Sequence, residues 1–177
     1  MADQTRHPAF VETTLEALTT IDRIMTPPES GPAKASPSAL YAYAVDPAYD
    51  PAPALLDILD HDAAVQADFE RLLSNNARYH MPRVAAASSG DIERREAEGC
   101  RIAFRPSKAD PEQIYVIIET HADAASAPEM LFIRFTDGRT RRTTLPRPQN
   151  GRIQLLLERH SETAEGLLDI NTEVYLK

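Results

Sequence analysis

The stretch "MLFIRFTDGRTRRTTL", residues 130–145, decides the fold class. Two strand-like runs flank Asp137-Gly138, a pair that reaches positive φ at low steric cost and so favours a tight hairpin turn. The first run is apolar almost without interruption, as a strand covered on both faces would be. In the second, Arg139 and Arg141 share one face and Arg142 takes the other. Working outward, the same period of two continues. "CRIAF", 100–104, alternates Cys100, Ile102 and Phe104 with Arg101 and Ala103. "QIYVIIET", 113–120, reads as a central strand, and "GRIQLLLE", 151–158, follows an Asn-Gly turn. "TEVYL", 172–176, comes after a short helix near 161–169. Six or so short strands with turns between them predict an antiparallel β-sandwich-like domain over 91–177.

Before Asp91 the pattern is helical. Val11, Leu15, Leu18, Ile21 and Met25 fall at helical spacing behind Pro8, which predicts an amphipathic N-terminal helix within 1–26. Residues 27–53 form a Pro-rich linker that holds half of the chain's 14 prolines and one short helical piece, "SALYAYAV". Residues 54–90 form a helical region: Leu55, Leu56, Ile58 and Leu59 cluster, and Val65, Phe69, Leu72 and Leu73 make a second face. The fold class is therefore α+β, a helical N-terminal region followed by the antiparallel β domain.

Composition narrows the function. The net charge of −8 disfavours general binding to nucleic acid or an anionic membrane. Acidity is concentrated in residues 1–90, with 12 Asp/Glu against 6 Lys/Arg, while residues 91–177 hold 15 against 13. Of 19 basic residues 16 are arginine, which with abundant alanine suggests the coding bias of a GC-rich bacterial genome. One cysteine excludes an intrachain disulfide, and no apolar run approaches the ~20 residues that span a bilayer. A chain opening "MADQTRHPAF" carries no secretory pattern, so a cytoplasmic protein is expected.

Candidate chemistry is sparse. Cys100 could serve as a nucleophile beside His80 or His121, but its alternation with Ile102 and Phe104 points it into a core. Ser161, beside His160, reads as the cap of the following helix, with Glu162 and Glu165 in the first turn. The six glycines are isolated, so no phosphate loop or dinucleotide fingerprint exists. No cofactor, no metal and no catalytic set is expected. The densest feature is the group of Arg139, Arg141, Arg142, Arg147 and Arg152. It reads either as a solvated edge that resists aggregation or as a docking surface for an acidic partner or phosphate. The N-terminal helix likewise either packs on the body or offers Val11, Leu15, Leu18, Ile21 and Met25 to a partner groove.

The segments "LYAYAVD", "ALLDILDHD" and "VQADFERLL", within residues 38–75, resemble the helical arrangement of zinc-free bacterial anti-sigma proteins. The zinc-binding branch of that family carries His, three residues, Cys, two residues, Cys. Counting from His61, those cysteine positions are Val65 and Asp68, so zinc binding is not expected, and His61 reads as a surface residue between two helices. The resemblance implies binding to, and inhibition of, a transcription sigma factor. The expected function is a non-catalytic bacterial regulator or adaptor that binds another protein. The alternatives are a small-ligand-binding β-sandwich and a regulatory substrate cut by a protease in the 26–53 segment.

Overall fold

The computed structural model describes residues 35–83, 92–121 and 127–177. The expected helix over 1–26 and the first part of the linker lie outside the described residues. From Ala35 to Lys177 the chain is one compact unit. Helix α1 spans Pro37–Val45, α2 Pro53–His61 and α3 Ala63–Asn76. The strands are β1 (Tyr79–Met81), β2 (Arg94–Ala97), β3 (Cys100–Pro106), β4 (Gln113–Thr120), β5 (Met130–Arg134), β6 (Thr140–Thr144), β7 (Arg152–Glu158) and β8 (Glu173–Leu176). Helix α4, Glu162–Leu168, connects β7 to β8.

The strands form two four-stranded antiparallel sheets, ordered β1-β8-β5-β6 and β2-β3-β4-β7. Ile102, Phe104, Ile114, Val116, Ile118 and Ile153 from the second sheet share a buried core with Leu131, Ile133, Val174 and Leu176 from the first. The first sheet is also covered on its other face. There Met130, Phe132 and Tyr175 pack with Leu40, Tyr43, Leu55, Leu59, Phe69 and Leu73 of the helices. The order of layers is thus helices, helix-covered sheet, open sheet. This is the α+β fold expected, with the helices mostly N-terminal to the strands.

Local chemistry explains the elements. Pro37 and Pro53 sit in the first turns of α1 and α2, where a missing N–H costs nothing. Asp62 caps α3 by accepting from the amides of Ala64 and Val65 at 2.9 and 3.2 Å. The β5–β6 turn closes with Gly138 at φ 90°. Asn150 and Gly151, at φ 52° and 76°, turn the chain into β7. The four buried residues Met130 to Ile133 alternate between the two cores, which is why that run has no polar position.

Two features differ from the expected boundaries. Tyr79–Met81, inside the segment expected to be helical, is a strand that pairs with β8. Three residues are too few to show a period, and the partner lies at the far end of the sequence. The helical segment and the β domain are therefore parts of one unit that share a sheet and a core. The second feature is β2, whose inward residue is Arg95 rather than an aliphatic side chain.

Candidate protein-interaction surface

The arginines of the β5–β6 hairpin hold the layers together. Arg141 meets Asp60 of α2 with two parallel bonds, 2.6 and 2.9 Å, and also donates to Glu162 of α4 at 3.0 Å. These carboxylates push the Arg141 pKa up, the bond to Asp60 contributing most. Arg139 bonds Asp137 at 2.6 Å and Glu162 at 3.1 Å, and its guanidinium stands 5.5 Å from the Phe135 ring centre. Arg142 projects to the helical layer. It donates to the carbonyls of Tyr43, Asp46 and Tyr49 at 3.2, 3.2 and 2.6 Å and lies 4.4 Å from the centre of the Tyr43 ring. Arg139 and Arg141 thus converge on Glu162, as residues sharing a face do, and Arg141 and Arg142 both tie the strand to the helical layer. Each is already engaged by this chain. The other expected contact residues, Val11, Leu15, Leu18, Ile21 and Met25, lie outside the described residues.

The remaining candidates have structural surroundings. His61 ends α2, exposed, with Nδ1 2.8 Å from the Asp57 carbonyl. Among the described residues no group of three or more His, Cys, Asp or Glu is placed to hold a metal ion. Cys100 is 5% exposed, and burial pushes its thiol up to about 12, so it is not a thiolate near neutral pH. His80 stacks on Tyr175 with ring centres 4.4 Å apart. Ser161 caps α4, accepting from the Ala164 amide at 3.3 Å.

Two polar groupings were not anticipated from sequence. Arg95, 2% exposed, donates to the carbonyls of Leu167 and Thr172 at 2.7 and 3.0 Å, to the Asp169 carbonyl and to Thr172 Oγ1. It closes the end of α4 and the loop into β8. Burial lowers its pKa to about 10. Glu173, at one end of the helix-covered sheet, accepts from the Tyr175 hydroxyl at 2.8 Å and pairs with Arg83 at 3.2 Å. Arg134 lies 3.9 Å from Glu173 and pairs with Glu70 at 2.9 Å. Neither grouping has a local sequence signal, because its members come from distant parts of the chain.

The surface without a covering layer among the described residues is the outer face of the open sheet. Cross-strand register fixes its pattern. Ala103 lies opposite Ile117, Ile117 opposite Gln154, and Tyr115 opposite Leu156. Ala103, Tyr115 and Ile117 are half-buried, and Leu156 is 49% exposed. Beside this apolar centre runs a charged row, Glu96, Arg101, Glu119 and Arg152, in register across four strands. Arg101 bonds Glu96 at 3.0 Å and Arg152 bonds Glu119 at 2.8 Å. An apolar centre bordered by charges is the usual composition of a protein-binding face. A hollow of about 470 Å³ opens at one side, lined by Arg94, Arg101, Ala103, Arg105 and Ile114 among others.

No family model, no curated protein and no solved structure matches the chain.

Proposed function

We propose that this is a non-catalytic protein that acts by binding another protein, and that the outer face of the open sheet is the surface it uses. The observation that carries the reading is the uncovered apolar group Ala103, Tyr115, Ile117 and Leu156 beside an ordered row of charges. The apolar stripes of α1 to α3, which carry the resemblance to anti-sigma proteins, pack against Met130, Phe132 and Tyr175. A sigma factor, if it is the partner, would therefore be held by another surface, and the open face is the one on offer.

The test is an affinity capture from lysate of the native host. Full-length protein is compared with Ile117→Asp and Tyr115→Asp, both in a central strand whose backbone pairing does not depend on those side chains. Wild type retaining a stoichiometric protein that both folded variants lose supports the reading, and a sigma factor would make it anti-sigma-like. Equal retention by all three would move the contact elsewhere, and no retained protein would remove the binding function. The hollow lined by Arg94, Arg101 and Arg105 favours a second reading, a small anionic ligand. A thermal-shift screen of anionic metabolites tests it, because a ligand that binds the native state raises the melting temperature.

A further inference from the structure

We propose that the open sheet continues into a second copy of this chain, by antiparallel pairing of β7 with its symmetry mate across a two-fold axis through Leu156. The inference stands on the strand's edge and holds whether or not the sheet's outer face binds another protein.

β7 is the last strand of its sheet, seven residues long, and among the described residues no strand pairs with its far side. The direction of its backbone groups follows from two observations. The Arg159 amide donates to the Glu112 carbonyl at 2.7 Å, which turns the odd-numbered residues towards β4. The Arg152 amide and carbonyl both face Gln149, at 3.1 and 2.7 Å, so the even-numbered residues turn outward. The Glu158 carbonyl is already taken by the Ser161 amide at 3.0 Å. What remains on the edge is the amide and carbonyl of Gln154 and Leu156, and the Glu158 amide. A groove of about 510 Å³ follows this edge, lined by Gln154, Leu156, Arg152 and Arg147 among others. An unpaired row of this kind is a template for strand addition.

The side chains select the occupant. With Leu156 on the axis, each Leu156 amide meets the second copy's Leu156 carbonyl, and each Glu158 amide meets the second copy's Gln154 carbonyl. On the outer face the Gln154 carboxamide lies beside the second copy's Glu158 carboxylate, with Arg152 one diagonal step away. Leu156, half exposed in one copy, is covered by itself in two. On the inner face Leu155 and Leu157, each half-buried, come opposite one another. A register centred on Leu155 would bring the second copy's Glu158 to Arg152, whose outward groups Gln149 already occupies. With Leu156 on the axis the edge is thus complementary to itself, the requirement of a closed two-fold interface. So short a pairing falls below the roughly 1,200–2,000 Å² of strong interfaces, so the dimer forms and dissociates with concentration.

Sedimentation equilibrium of the full chain tests this, from about 1 μM to about 1 mM. The expected result is a reversible monomer–dimer mixture. Leu156→Arg places like charges on the axis, and Leu156→Pro removes an outward amide that an edge strand can spare. Each should weaken dimerisation by about tenfold or more while circular dichroism stays unchanged. Leu156→Cys should form a disulfide-linked dimer on mild oxidation, and Ile117→Cys, two strands from the axis, should not. A monomer throughout the range overturns the proposal, as does a dimer that survives in both folded variants. If either variant loses its fold, the Leu156→Cys cross-link decides. Failure here leaves the lysate capture by Tyr115 and Ile117 variants untouched, because those residues do not lie on the edge.

Discussion

Arg95 occupies an inward position of β2 where alternation places an aliphatic side chain. Its guanidinium instead satisfies three carbonyls and a hydroxyl at the end of α4 and the loop into β8. Replacing it with methionine would fill similar volume but take the guanidinium donor from the Leu167 and Thr172 carbonyls, while Asp169 keeps the Thr172 amide and hydroxyl. Arg95→Met is expected to destabilise the fold by about 2–4 kcal/mol in urea unfolding, and Arg95→Lys to recover little, since one ammonium cannot reach the spread of acceptors. Cys100 yields a second prediction. Native protein should react with a thiol reagent far more slowly than protein in denaturant. The sign of the pH effect follows from linkage. The folded thiol titrates at about 12, above its ordinary value of 9.0, so between those values the unfolded chain has released a proton that the folded chain retains. Stability is complete below pH 9 and falls as pH rises towards 12, by at most about 1.4 kcal/mol per pH unit for this one proton. Burial raises the Tyr43 and Tyr175 phenols as well and adds to the alkaline loss. Urea midpoints from pH 8 to about pH 11 would show the decline, and Cys100→Ala would flatten its first part.

Between elements, the arginines of β6 act as ties from sheet to helices. The paired bonds from Arg141 to Asp60 link β6 to α2, and both side chains are partly buried. A double-mutant cycle with Arg141→Ala and Asp60→Ala should give a coupling of about 1–2 kcal/mol, above the usual value for an exposed pair. A value near zero would mean that solvent screens the pair. These arginines also show where legibility in the sequence ended. The hairpin at Asp137-Gly138, the helices α1, α3 and α4, and the strands β3 to β8 carry local signals: turn chemistry, caps and apolar periods. Nothing local says that Arg142 reaches the carbonyls of Tyr43, Asp46 and Tyr49, because that contact joins residues almost a hundred positions apart. β1 escaped notice for the same reason, since its partner β8 closes the sheet from the far end of the chain. Gly166 lies inside α4. In the fold, a Cβ there would lie 2.9 Å from Ile133 Cγ2 and the Phe135 ring, so its absence lets α4 approach β5. "CRIAF" alternates and so shows an outward face, but "QIYVIIET" is apolar on both faces and reads as a covered central strand, so nothing local says that the side of Tyr115 and Ile117 is bare.

At the scale of the whole molecule, the helical layer and the two sheets cannot be separated into independent domains. Phe132 lies at 6.1 and 6.2 Å, edge to face, from Phe69 and Tyr43, so the aromatic centre of the helical layer is completed by a strand. Removing residues 38–76 would expose Met130, Phe132 and Tyr175 together. The truncated protein is expected to aggregate or bind a hydrophobic dye, whereas intact protein should unfold in one transition with coincident near- and far-UV signals. The strand order has a consequence for how the molecule is made. β8 lies between β1 and β5, and of the eight described strands it is the last to be synthesised. At translation rates of about 5–20 residues per second, β1 waits roughly five to twenty seconds for the neighbour that joins it to the sheet. During that time the nascent helices have only a partial platform, and the aromatic cluster has no Tyr175 to close over it. Assembly of this layer is therefore delayed until residue 176 has cleared the exit tunnel, and a ribosome that stalls before Glu173 would hold a half-built sheet with two strands kept apart.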